Sequence, residues 1–192
     1  MIGTTILWIL IQRIVNAGDR VASEIRNAEC VVLFEGLPHQ GWERELLEKE
    51  LRTMQTVQFH GFPFYSQPLP LTKVDAKRLT DLYCDPKTFH PWRGQKKCGG
   101  FHPDYCIEWH VGEQVYQCLL CFGCDEAKVF GPGVELYYDI NRSPFEELKL
   151  VLKPYRKNRP LSGHFDTVMQ LRGTEVRVHG GERRVRGTVG RS

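Results

Sequence analysis

The chain has 192 residues, 41% of them hydrophobic, and a net charge of +3. That length suits one domain with a short appendage, and that content supplies a core. The small net charge excludes a uniformly basic surface: residues 1–153 hold 17 Lys/Arg against 20 Asp/Glu (net −3), and residues 154–192 hold 9 against 3 (net +6).

Ile2–Ile11 is apolar and Arg13 interrupts it. The stretch is shorter than the roughly 20 apolar residues a spanning helix needs, so no transmembrane helix is expected. It predicts a helix over 4–16, stopped by Asn16-Ala17-Gly18-Asp19. Export or membrane contact through residues 2–15 is the alternative to a cytoplasmic protein. Residues 1–27 are assigned to this segment, 28–160 to an α+β core and 161–192 to a basic tail.

Cys30–Phe34 reads as a short buried strand, ended by Glu35-Gly36-Leu37-Pro38. Trp42–Arg52 reads as a helix with Trp42, Leu46, Leu47 and Leu51 on one side. Thr56–Phe59 is a predicted strand, followed by a proline-bearing loop from Gly61. Thr72 with Asp75 resembles a helix start, and the helix covers Val74–Tyr83 with Val74, Leu79 and Leu82 inward. Asp85-Pro86 ends it, and residues 85–100 are read as loop.

Tyr105–Val111 alternates, with Tyr105, Ile107, Trp109 and Val111 on one face and Cys106, Glu108 and His110 on the other. Val115–Phe122 returns as its partner. A Glu113-Gln114 loop sets Trp109 opposite Cys118 and Cys106 opposite Cys121, and a Gly112-Glu113 loop shifts those pairs. Ala127–Phe130 extends the meander, Gly131-Pro132-Gly133 turns it, and Val134–Ile140 follows. Ser143, Pro144 and Glu146 predict a capped helix running to Lys153 with Phe145, Leu148, Val151 and Leu152 inward. The fold expected is a single α+β domain, an antiparallel β-meander packed against helices.

Seven cysteines are present. An odd number fits a reducing, cytoplasmic setting, although three disulfides and a spare thiol are also compatible with it. Cys118 shares the aromatic face and reads as core. Cys106 and Cys121 fall on the opposite face, where Gly123 lets Cys124 return and Gly99-Gly100 lets Cys98 approach. Thiolates and imidazole suit zinc, so Cys98, Cys106, Cys121, Cys124 and His102 are the candidate ligands. A structural zinc site wants a second such pair beside Cys121 and Cys124; Cys98 and Cys106 have seven residues between them, and Cys98 with His102 is a looser alternative. Thiol redox chemistry at Cys121 and Cys124 is disfavoured because Asp125 and Glu126 raise a thiol pKa. His102 with Asp104 is the candidate catalytic pair, and an enzyme would combine them with Cys121 and Cys124. No nucleophile elbow, HExxH or phosphate loop exists. The arginines of GGERRVRGTVGR suit phosphate contact, but no interleaved aromatics accompany them.

Cys98-Gly99-Gly100-Phe101-His102-Pro103-Asp104-Tyr105, followed by Leu119-Leu120-Cys121-Phe122-Gly123-Cys124, resembles a pattern in a family of uncharacterised bacterial proteins, as does Phe34-Glu35-Gly36-Leu37-Pro38-His39. The resemblance covers roughly residues 30–160. It implies a bacterial source and carries over no catalytic role. The function expected is a globular protein with a cysteine-ligated metal as its candidate site. The alternatives are a small Cys/His/Asp enzyme and nucleic-acid binding through the tail.

Overall fold

The computed structural model describes residues 17–96 and 99–160. The expectations for residues 4–16, for Cys98 and for the tail 161–192 lie outside the described residues. The chain divides after Pro160, and the description is of the first part.

Residues 17–25 are helical (α1), so the predicted stop at Gly18 is not one. Gly18 serves packing instead: a Cβ there would lie 2.5 Å from the Tyr138 hydroxyl oxygen. The helix buries Val21 and Ile25. β1 (Cys30–Glu35) follows, then α2 (Arg44–Thr53), β2 (Thr56–Phe59), β3 (Phe62–Tyr65) and α3 (Lys73–Cys84). A three-residue strand β4 (Phe89–Pro91) precedes the meander β5 (Tyr105–Val111), β6 (Gln114–Cys121), β7 (Glu126–Gly131) and β8 (Val134–Ile140). Helix α4 (Arg142–Leu152) and a short 3-10 turn close the fold.

The main sheet has the order β1-β5-β6-β7-β8-β4, with every pair antiparallel. The α+β meander is therefore as expected, with β1 and β4 added at its two edges. The β5–β6 loop is Gly112-Glu113, since Val111 pairs with Gln114. Gly112 has φ +56° and Glu113 is not in the positive region, the pattern of a hairpin turn that needs glycine first. Ile107 thus faces Cys118, and Cys106 faces Leu119 rather than Cys121.

Alternation divides the sheet into two faces. The helical face carries Tyr105, Ile107, Trp109, Cys118, Leu120, Val129 and Tyr138. Trp109 is fully buried, its ring 5.1 Å from that of Tyr83, and its indole N–H donates to Thr80 Oγ1 at 2.9 Å. Phe122 bridges Tyr105 and Phe145 edge-on at 5.9 and 5.6 Å. Burial of each such side chain contributes roughly 1.5–3 kcal/mol. The opposite face is covered by the β2–β3 hairpin, which sets Phe64 into a cluster with Phe34, Cys106 and Leu119. Pro63 is tolerated because β3 belongs to a two-stranded sheet, so neither strand is central.

Three helix details differ from the sequence reading. Trp42 and Leu51 are exposed at 56% and 43%, and the residue α2 buries is Glu50, which accepts from the Tyr65 hydroxyl at 3.3 Å. Val74 is 75% exposed, whereas Leu79 and Leu82 face inward as expected and Tyr83 joins them. Helix α4 starts after Asn141, not Ser143, and has no side-chain cap. Asn141 is held by its N–H on Thr88 O and its Nδ2 on Lys87 O. The Thr72 cap on Asp75 N–H and the inward face of α4 are as expected. Among the described residues no helix is long and apolar enough to cross a membrane.

Candidate functional site

Residues 34–39, 99–105 and 119–124 meet at one end of the sheet. Glu35, the last residue of β1, is 1% exposed. Its Oε2 accepts from the backbone N–H of Lys157 (3.1 Å) and Asn158 (2.7 Å), and its Oε1 from that of Arg159 (3.0 Å). Gly36 comes next because nothing larger fits: a Cβ would stand 2.0 Å from Pro103 O. This close approach lets Gly36 N–H donate to Asp104 O at 2.8 Å.

Residues 39–43 form a tight turn before α2. His39 N–H donates to Glu43 Oε2 at 2.8 Å, and Glu43 N–H donates to His39 O at 2.8 Å. His39 Nδ1 accepts from Gly41 N–H (2.9 Å) and Trp42 N–H (3.2 Å). Two donors on Nδ1 place the proton of the neutral ring on Nε2.

Arg159 enters this cluster from the far end of the domain. Its Nη1 donates to Asp104 Oδ1 at 2.8 Å and its Nη2 to Glu43 Oε2. The three side chains are 4%, 8% and 2% exposed. Asp104 Oδ2 accepts from Phe122 N–H at 2.7 Å, and Asp104 N–H donates to Leu120 O. One residue thus ties the entry to β5, the end of β6 and the chain after α4.

The His39 and His102 rings lie 4.6 Å apart, and both are buried. Burial lowers the His102 pKa to about 4, aided by the Arg159 charge and opposed by Asp104. Burial, then Arg159, lowers that of His39 as well. Both imidazoles are therefore neutral at pH 7. His102 Nε2 is buried and has no hydrogen-bond partner among the described residues.

Of the residues singled out from the sequence, the structure brings His102, Asp104 and Cys121 together. Cys121 receives the backbone N–H groups of His102 and Cys124, yet burial, seconded by Asp104, pushes its thiol up to about 12. Cys124 is disulfide-bonded. Cys106 lies in the apolar cluster with Phe34 and Phe64, where burial raises its pKa. Cys118 is in the core, as expected. The candidate metal ligands among the described residues thus have three different surroundings. Among the described residues no three His, Cys, Asp or Glu side chains are placed to hold one ion.

A second buried polar group lies further along the same face. Glu126 and Asp139 are cross-strand partners, 2% and 5% exposed. Lys96 Nζ lies 2.8 Å from Asp139 Oδ1 and 3.6 Å from Glu126 Oε1, and donates to Cys124 O at 2.5 Å. Tyr137 hydroxyl and Trp92 Nε1 also donate to Glu126.

The sequence reading did not single out Glu35, His39, Glu43 or Arg159 as chemistry. Glu35 and His39 lie within the Phe34–His39 stretch, and Arg159 lies among the basic residues after Pro154. The fold and site define an α+β protein with a buried His/Asp/Glu/Arg cluster. No family model, curated protein or solved structure matches the chain.

Proposed function

We propose that this is a non-enzymatic globular protein whose buried cluster is a structural latch. The latch fixes residues 156–160 to the sheet, so the chain leaves the domain from a fixed point. The observation that carries this reading is the buried Arg159 guanidinium bridging Glu43 and Asp104 while Glu35 holds the backbone of the same segment. Each carboxylate is committed to the fold, and burial of the neighbouring Cys121 thiol favours its protonated form, which disfavours it as a nucleophile.

The test is elemental analysis of natively purified protein, with unfolding of wild type, Cys121→Ala and Arg159→Ala. The latch requires metal-free, folded wild type and a loss of stability centred on Arg159. Stoichiometric zinc that disappears in Cys121→Ala would replace the latch by the cysteine-ligated metal reading. A small enzyme is the second reading, favoured by the unpartnered Nε2 of the neutral His102. It requires turnover on a panel of chromogenic esters that His102→Gln abolishes with the fold intact.

A further inference from the structure

Helices α3 and α4 run side by side in opposite directions, and two contacts fix their register. Arg78 Nε lies 3.0 Å from Glu147 Oε1. Further along, where α3 begins and α4 has ended, the Tyr155 hydroxyl donates to Asp75 Oδ2 at 2.5 Å and accepts from Thr72 N–H at 3.1 Å. Val74 precedes Arg78 by one turn and Leu150 follows Glu147 by one turn, so both stand at the level between these contacts. They are the most exposed large apolar side chains among the described residues, at 75% and 67%.

Cations surround this apolar pair. Lys73 and Lys77 flank Val74 on α3, and Lys153 lies one turn beyond Leu150, with Lys157 following. The acids of the same segments are engaged: Asp75 with Tyr155 and Thr72, Asp81 with Lys77, Glu147 with Arg78, and Glu146 with Arg142 and Lys149. Lys73, Lys153 and Lys157 are exposed, and among the described residues their ammonium groups have no ion-pair or hydrogen-bond partner. Residues 73–84 and 142–157 carry eight Lys/Arg against four Asp/Glu, whereas the other described residues carry 10 against 16. The domain is therefore polar in its charge, with the α3–α4 side positive and the remainder acidic.

Uncommitted lysines spread over two helices match an extended array of anions. Nucleic acid is one such array, but base stacking needs exposed aromatic rings, and the rings of these elements, Tyr83, Phe145 and Tyr155, are buried. Projecting Val and Leu side chains among lysines fit a partner with an anionic outer layer and a hydrocarbon interior.

We propose that the α3–α4 face is a docking surface for an anionic lipid bilayer. Lys73, Lys153 and Lys157 lie among the headgroups, and Val74 and Leu150 enter the acyl boundary.

The test is flotation of the full chain with vesicles of pure phosphatidylcholine and with vesicles that also contain phosphatidylglycerol. Binding is expected only to the second, and to fall as salt is raised. Lys73→Gln with Lys153→Gln is expected to weaken it by more than about tenfold, since each lysine near an anionic surface contributes about fivefold. Val74→Ser with Leu150→Ser keeps every charge and alters two side chains that the fold does not bury, so its melting temperature should match wild type. Its vesicle binding should fall about tenfold. Undiminished binding by either double variant would overturn the proposal. In the first case other cations, such as the arginines after residue 160, account for it; in the second the face is a general anion binder and not a lipid one. Equal flotation with neutral vesicles, or no flotation at all, would overturn it as well. A single-stranded oligonucleotide that binds wild type and not Lys73→Gln/Lys153→Gln, with no flotation of wild type, would assign the face to nucleic acid instead.

Discussion

Arg159 and Asp104 stand 55 positions apart in sequence and 2.8 Å apart in space, in a pocket of the fold that excludes water from both. An ion pair so buried is costly to break, because the surviving partner keeps its desolvation without its counter-charge. Arg159→Ala leaves Asp104 and Glu43 facing each other, and the expected cost is roughly 3–5 kcal/mol. Neutralising the partners as well, in Arg159→Met with Glu43→Gln and Asp104→Asn, should recover part of it. Urea unfolding of the two variants measures the difference, and a triple variant no better than Arg159→Ala would contradict it.

The buried imidazoles make stability depend on pH in a definite direction. Unfolded His102 takes up a proton as pH falls through 6.5, whereas the folded group resists until about 4. The stabilisation is therefore complete above pH 6.5, declines between 6.5 and about 4, and levels off below. A shift of that size corresponds to about 3 kcal/mol. His39 acts in the same direction. Chemical unfolding at pH 7 and pH 4.5 should show a difference that shrinks by about 2–3 kcal/mol in His102→Gln. An unchanged difference would mean that His102 is not the group titrating.

Thiol reactivity separates the cysteines by position. Cys30 is exposed, whereas Cys84, Cys106, Cys118 and Cys121 are buried. Alkylation at pH 8 followed by peptide mapping should label Cys30 completely before any of those four. Cys121 is the informative site: at a pKa of about 12 its thiolate fraction at pH 8 is about one in ten thousand. Rapid labelling of Cys121 would restore the nucleophile that the latch reading removes.

Gly36 is confined by sterics and not by backbone dihedral, since its φ is not positive. The atom that a Cβ would meet is a carbonyl oxygen of Pro103, which cannot rotate away. Gly36→Ala is expected to lose more than about 4 kcal/mol, as a change that forces two backbones apart does. Gly133 provides the contrast: its φ is +66° and the space around it is open. Gly133→Asn should cost only about 1 kcal/mol, because asparagine tolerates that conformation. Similar losses at the two positions would show that close approach at Gly36 is not what matters.

The difference between those glycines explains what the sequence disclosed. The meander was legible because Tyr105–Val111 alternates with a period of two and glycines mark the turns at 112 and 131–133. Its register was not, because the choice between two adjacent loop positions depends on which residue takes positive φ. Gly18 misled because a glycine that ends a helix and one that admits a tyrosine hydroxyl look alike in sequence. The buried face of α2 was illegible for a different reason: its burial is of Glu50, beside the equally buried Glu43, and hydrophobic periodicity cannot point to a carboxylate. His102 and Asp104 are neighbours in sequence, and the β5–β6 hairpin brings Cys121 beside them. Arg159, 116 positions from Glu43, had no local signal, since only the folded path of the chain brings it there.

Lys96 gives the last prediction, from the second buried group. Glu126 and Asp139 are directly paired across β7 and β8, and the Lys96 ammonium lies between their carboxylates. Two like charges at that spacing repel strongly once the cation is gone. Lys96 is about one-third exposed (35%), so solvent screens part of the effect. Lys96→Met is expected to cost about 1–3 kcal/mol. Asp139→Asn keeps an acceptor for Arg93 N–H, which now donates to Oδ2 at 3.1 Å, and removes one of the two charges. Added to Lys96→Met, it should be far less damaging than it is alone. A double-mutant cycle by urea unfolding should therefore give a coupling of at least about 1 kcal/mol. Strict additivity would show that Lys96 does not hold the pair. Limited proteolysis gives an independent measure: if the lysine straps residues 92–96 to the sheet, Lys96→Met should be cut there faster than wild type, while cleavage elsewhere in the domain is unchanged.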